Sequence, residues 1–154
     1  MSRTTLILDL DGVLITTPMW KADEIDVDGY SKFNMNCVDN LNKLLEQSDF
    51  EIWLSSTRRT VKTLTEFNQI FENRHIKKEI KGFLPEYQEC NTRKDEIIQF
   101  IEEFKISDFL IIDDDKSLNG LNENYKEKLI LTELQKGFDT EKFQLAIDKI
   151  KKRT

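Results

Sequence analysis

The chain has little of what a secreted or zinc-binding protein would use. Two cysteines, Cys37 and Cys90, and one histidine, His75, stand in 154 residues. Their number and spacing exclude a Cys/His zinc pattern and leave too few bonds for a disulfide scaffold. A reduced, cytoplasmic pair of thiols is the expectation, and His75, isolated among charges, is expected at the surface. Five glycines and two prolines are too few for a fibrous or low-complexity chain. No apolar stretch approaches membrane-spanning length. The N-terminal run has one basic residue, Arg3, and is cut by Asp9 after a few positions, so neither a signal peptide nor a membrane partner is expected. Positive charge is also in deficit. With 23 Lys and Arg against 29 Asp and Glu, the net charge is −6, which disfavours indiscriminate adhesion to polyanions but leaves room for a local basic rim.

What is present is concentrated in Leu6–Leu14, LILDLDGVL. Leu6, Ile7 and Leu8 are apolar without alternation, as in a strand buried on both faces of a parallel sheet. Side chains alternate along an extended strand, so Asp9 and Asp11 are expected to face one volume at its carboxyl end, where such sheets bind ligands. Gly12 then permits a turn that a Cβ would resist. Like charges delivered by a buried strand are costly unless paired, and a bound cation is the simplest partner.

Along the chain, strands are expected at Thr5–Leu10, Phe50–Leu54, Ile80–Leu84, Phe109–Ile112 and Leu129–Leu131. Helices are expected at Asn36–Gln47, Thr60–Asn73, Thr92–Phe104 and Thr140–Lys151, from apolar residues at helical spacing and from caps such as Thr92 or Asn91. Alternation of the two predicts a single α/β domain over residues 1–154, a three-layer α/β/α arrangement around a five-stranded parallel sheet. Residues 15–34 are polar and irregular, with turn signals at Pro18 and Asp28-Gly29, and read as a small flap. A second D-x-D-G string lies there, Asp26-Val27-Asp28-Gly29. No apolar run precedes it, so a plain turn is expected. Trp53 is expected in the core; Trp20 is open between packing and substrate contact.

Three strand ends carry polar groups: Asp9 and Asp11, then Ser55 and Ser56, then Asp113 and Asp114. If the first and fourth strands are neighbours, about 5 Å apart, four carboxylates meet in one pocket. Two like charges at 4 Å repel by roughly 4 kcal/mol at an effective dielectric near 20, so the cluster needs a cation. Oxygen ligands without histidine or thiolate select a hard ion such as Mg²⁺. Each signal has an ordinary reading too. Asp113–Asp115 alone would be a solvated turn, Ser55 and Ser56 alone a helix cap, and Lys94 has rivals in Arg93 and Lys116.

Taken together and in order, these motifs resemble the haloacid dehalogenase (HAD) superfamily, whose phosphatases carry hhhDxDG followed by V or T, a Ser or Thr after a second strand, a Lys, and an acidic pair after a fourth strand. The resemblance implies a HAD-like, Rossmann-like phosphatase. Asp9 would be the nucleophile, forming an aspartyl-phosphate, and Asp11 the acid and then the base. Ser55 would bind the phosphoryl oxygen, with Ser56 as the alternative and Arg58 behind it. Gly12 would lie at the substrate, and Lys94 would balance charge at the nucleophile. Asp9, Asp11, Asp114 and Asp113 would hold Mg²⁺. Dehalogenation is disfavoured because the dehalogenating members lack the second acid that Asp11 supplies.

Neither inter-motif gap has room for a large cap domain, and an open pocket suits the end of a macromolecule. Arg58, Arg59, Lys62 and Lys94, with Lys21 or Lys32, are candidates for a basic rim. IWLSST, followed much later by LILTELQKGFDTEKF, resembles the capless HAD domain of bacterial RNA-repair proteins, and more distantly the phosphatase half of polynucleotide kinase-phosphatases. In that branch a tryptophan often follows the second-motif hydroxyl, where this chain has Thr57 or Arg58. Apart from that difference, the open pocket and the resemblance imply a phosphorylated nucleic-acid terminus as substrate. A small metabolite or nucleotide is the alternative, and a non-catalytic phosphate- or partner-binding module is a further one.

Overall fold

Short runs of Leu, Ile and Phe pair as the five strands of one all-parallel sheet in the computed structural model, which describes residues 3–152. They are β1 (Thr4–Leu8), β2 (Phe50–Leu54), β3 (Ile80–Phe83), β4 (Phe109–Asp113) and β5 (Leu129–Leu131), in the order β3-β2-β1-β4-β5. β1 lies at the centre, with Leu8 opposite Leu54 on one side and Ile112 on the other. The expected parallel sheet and the pairing of the first and fourth strands are both present.

Alternation along the strands sorts the core into two layers. Leu6, Leu8, Ile52, Leu54, Leu110 and Ile112 pack with α1 (Met35–Leu45), α2 (Leu64–Asn73) and α5 (Thr140–Lys151). Ile7, Phe109, Ile111 and Leu129 pack on the other face with α3 (Arg93–Glu103). Trp53 lies in that second layer, tilted against Phe100 and Phe104 at 5.3 and 5.9 Å. The four long helices begin at side-chain caps. Asn34, Thr63, Thr92 and Asp139 each accept from a backbone N–H in the first turn, and Thr63 with Glu66 forms a capping box.

Several boundaries differ from the sequence expectation for local reasons. β1 ends at Leu8 because the Leu10 carbonyl accepts from Val13, Leu14 and Ile15, closing a turn. The helix expected from Thr60 starts at Leu64, because Ser56 caps a separate 3-10 turn over Thr57–Thr60 before Thr63 starts α2. A second 3-10 turn, Lys116–Gly120, and the short α4 (Glu123–Lys126) link β4 to β5, where no element was expected.

The segment 15–34 crosses between β1 and α1 with one antiparallel bridge, Ile25 to Ser31. Its D-x-D-G string is a turn, with Gly29 at φ +83°, and it is also an anchor. Asp28 accepts from Arg74 Nη1 at 2.6 Å and Nη2 at 3.0 Å, and Arg74 is buried at the end of α2. Those hydrogen bonds hold the Asp28 carboxyl well below the usual carboxylate range. The Arg74 guanidinium also lies 4.7 Å from the centre of the Phe33 ring.

Candidate active site

The backbone ladder runs one row past β1 and fixes the neighbours of Asp9. Asp9 N–H donates to the Ile112 carbonyl at 3.0 Å, and Ser55 N–H donates to the Leu8 carbonyl at 2.9 Å. Asp9, Asp113 and Ser55 therefore end three adjacent strands in one row, with the odd-numbered parity that faces α3. Asp9, Asp113 and Ser55 are all buried, Asp113 and Ser55 completely. Ser55 Oγ donates to Asp113 Oδ2 at 3.4 Å, a long contact that leaves the hydroxyl loosely held.

Asp114 completes the cluster: ligand oxygens of Asp9, Asp113 and Asp114 all lie within 4.8 Å of one another. Gly12 makes this possible. A Cβ built on Gly12 would collide with the Asp114 carboxylate, and its φ of +78° suits glycine. The Gly12 carbonyl also accepts from Thr132 Oγ1, tying the turn to the chain after β5. Asp113 has its second oxygen occupied by the Asp115 N–H at 3.0 Å.

The cation that faces the cluster is Arg93. Its Nη1 lies 2.6 Å from Asp113 Oδ2 and 3.5 Å from Asp9 Oδ2. Lys94 is not brought to Asp9: it forms no ion pair among the described residues, and its Nζ lies 3.4 Å from where a Gly120 Cβ would stand. Helical phase explains the difference. Arg93 stands four residues before Ile97 and seven before Phe100, on the buried stripe of α3, and Lys94 is turned about 100° from it. That spacing was available in the sequence as a signal for Arg93. A polar cavity of about 410 Å³ opens beside Arg93, lined also by Thr57, Thr92 and Ser117.

Asp9 and Asp11 do not share one cluster, because the chain turns after Leu8 and the strand alternation ends there. Asp11 Oδ2 and Oδ1 accept from Arg58 Nε and Nη2, both at 2.8 Å. The same Nη2 donates to Asp23 Oδ2 at 2.8 Å, and Asp23 also receives Ser31 Oγ at 2.7 Å. Arg58 Nη1 reaches the Tyr30 hydroxyl at 3.2 Å. Asp23, Tyr30 and Ser31 thus link the flap to Asp11 through one guanidinium, a connection not foreseen from the sequence. Ser56 Oγ accepts from Arg58 N–H at 3.2 Å and serves as a cap. Arg59 is buried instead of forming part of a rim: it donates to the carbonyls of Leu84, Ser55 and Ser56 at 2.8 to 3.1 Å and so braces the serine loop.

Burial raises the Asp9 carboxyl well above the usual range, and the nearby Asp113 charge raises it further against the pull of Arg93. Burial, then Asp113, push Asp114 up to about 6, with Asp11 close enough to add to the effect. Three desolvated carboxylates facing one guanidinium are under-compensated. Their oxygen-only donors and spacing fit a single hard cation held by Asp9, Asp113 and Asp114. Among the described residues no helix is long and apolar enough to cross a membrane.

No curated protein matches the chain. The family described as the HAD domain in Swiss Army Knife RNA repair proteins matches residues 5–143. That span runs from the first residues of β1 to the first turn of α5 and takes in every strand end described above. Topology, acid placement and family match agree, and the chain belongs to the HAD domains of Swiss Army Knife RNA repair proteins.

Proposed function

We propose that the chain is a magnesium-dependent phosphomonoester phosphatase acting through an aspartyl-phosphate on Asp9, with a phosphorylated nucleic-acid terminus as substrate. The observation that carries this reading is the row of Asp9 and Asp113 on adjacent strands, completed by Asp114 and faced by Arg93. Magnesium, when bound by these three acids, supplies positive charge that offsets the repulsion between carboxylate and phosphate dianion.

The chain's own groups do the rest. Asp9 Oδ attacks phosphorus in line, the bond to the leaving oxygen breaks, and Asp11 gives that oxygen a proton. Asp11 then takes a proton from the water that attacks the aspartyl-phosphate, releasing inorganic phosphate and restoring Asp9. Ser55 donates its loosely held hydroxyl to a phosphoryl oxygen, and Ser56 shapes the loop. Arg93 balances the charge of Asp9, the role that the resemblance assigned to Lys94. Arg58 offers its fork to the incoming phosphoryl oxygens, which compete with Asp11 for it and free Asp11 for proton transfer. Asp11 serves the proton and not the metal in this scheme.

Two observations favour a macromolecular end over a small metabolite. Between Arg59 and Thr92 lie only a 3-10 turn, α2, β3 and a loop, so no inserted domain closes over the acids; the matching family is described by RNA repair. The test compares phosphate release from a 3′-phosphorylated oligonucleotide with release from free nucleotide monophosphates, with magnesium and with chelator. Faster release from the oligonucleotide, lost on chelation and in Asp9→Asn, is expected. Preference for free nucleotides would overturn the substrate assignment, and release that persists in Asp9→Asn would overturn the mechanism.

A further inference from the structure

Trp20 is the one tryptophan that the core does not use. Its side chain stands on the flap with 77% of the residue exposed, whereas Trp53 packs against Phe100 and Phe104. Packing as its role is therefore excluded. An indole left in water loses the burial that makes tryptophan useful, and Met19 beside it is exposed as well, so the flap turns two adjacent large apolar side chains to solvent, where a partner would cover them.

Its position ties it to the catalytic groups. Trp20 lies within the turn in which Lys21 N–H donates to the Pro18 carbonyl at 3.0 Å. Three residues on, Asp23 grips Arg58, and Arg58 grips Asp11. Beside the turn lies a cavity of about 300 Å³ lined by Thr16, Thr17, Lys21 and Lys32 among others. Lys21 has no ion pair among the described residues, while Lys32 has Glu24 at 3.7 Å. Lys21 and the exposed indole are neighbours on one turn, and the pair complements a ligand with an aromatic face and an anionic backbone.

We propose that Trp20 is a stacking platform for a nucleobase at the phosphorylated end of single-stranded nucleic acid, with Lys21 against the neighbouring phosphodiester. The proposal rests on the phosphatase reading of the Asp9 site and adds the surface that recognises the substrate. Stacking on an indole is tolerant of sequence, because every base has a π-face, so an end-processing enzyme gains hold of any terminus.

Three substrates separate this surface from the chemistry: p-nitrophenyl phosphate, a 3′-phosphorylated decanucleotide, and the same decanucleotide made abasic at its last two positions. Trp20→Ala is expected to lower kcat/KM for the intact decanucleotide about tenfold more than for p-nitrophenyl phosphate, mainly through KM, with Trp20→Phe recovering most of the loss. Wild-type and Trp20→Ala should not differ on the abasic substrate. Equal kcat/KM of the two proteins on the intact decanucleotide overturns the proposal, as does an equal loss on the abasic one. If no substrate is hydrolysed, the phosphatase reading fails on its own. The platform is then decided by indole fluorescence: quenching by the decanucleotide in wild-type that is absent from Trp20→Ala supports it, and no such difference overturns it. A dimer that dissociates in Trp20→Ala, with decanucleotide binding unchanged, assigns the indole to a second copy of the chain and overturns it too.

Discussion

Asp23 receives the Ser31 hydroxyl and the Arg58 guanidinium on one carboxylate oxygen, and the Nε and Nη2 of that guanidinium hold both oxygens of Asp11. Asp23 is thus a positioning residue for the acid that the proposed mechanism uses to move protons. Asp23→Ala is expected to lower kcat on p-nitrophenyl phosphate about tenfold, since small misplacements of such groups are costly, and to broaden its pH profile, with Asp23→Glu restoring part of the rate. A drop in melting temperature with kcat and pH profile intact would make Asp23 merely structural. Gly12 is constrained twice, by its positive φ and by the Asp114 carboxylate beside its Cα. Gly12→Ala should cost about 1–2 kcal/mol in backbone strain and, by displacing Asp114, weaken magnesium binding in calorimetric titration; unchanged affinity would contradict the role given to that contact. Residue types and order were enough to single out Asp9, Ser55, Asp113 and Asp114. The pairing of Asp11 with Arg58 was hidden, because it depends on where β1 stops and on a flap with no periodic pattern.

Among the elements, the flap is the least regular, and two charged contacts hold it. One is Arg58 to Asp23 at the site. The other is Arg74 at the end of α2, gripped by Asp28. Asp28→Ala leaves the buried Arg74 charge with Asp26 at 3.7 Å as its one remaining carboxylate, beside the carbonyls of Ile70, Tyr30 and Ser31 and the Phe33 ring. Urea unfolding should show a loss of about 2 kcal/mol; a change within 0.5 kcal/mol, the scale of an ordinary surface substitution, would mean that the flap does not depend on this pair. The second D-x-D-G string was readable as a turn from Gly29 and its lack of an apolar run. Its use as a clamp was not, because Arg74 is 46 residues away from Asp28. Helix α3 shows the same limit in milder form. Its existence and cap were plain, but choosing between Arg93 and Lys94 required the phase of the buried stripe and not the charge type alone.

For the whole molecule, parallel order, central β1 and the two helical layers follow from apolar runs separated by helical spacing, which is why the architecture was readable while the connections after β4 were not. The same architecture concentrates unfavourable charge at one edge. Asp9 and Asp114 have folded-state pKa values raised above their ordinary 3.8, Asp114 to about 6. Groups shifted upward stabilise the fold below their unfolded pKa and lose that contribution as pH rises through the folded value. Metal-free protein is therefore expected to lose thermal stability between about pH 4 and 7, and magnesium to raise the melting temperature more at pH 7 than at pH 5; a flat metal-free profile would contradict the electrostatic account. Whether the edge performs chemistry turns on Asp9. The most direct measurement is a rapid acid quench with an oligonucleotide labelled in its terminal phosphate, followed by peptide mapping. Label recovered on the peptide containing Asp9 in wild-type, and absent in Asp9→Asn, is the predicted result; turnover without label on that peptide, or label at another residue, would contradict it.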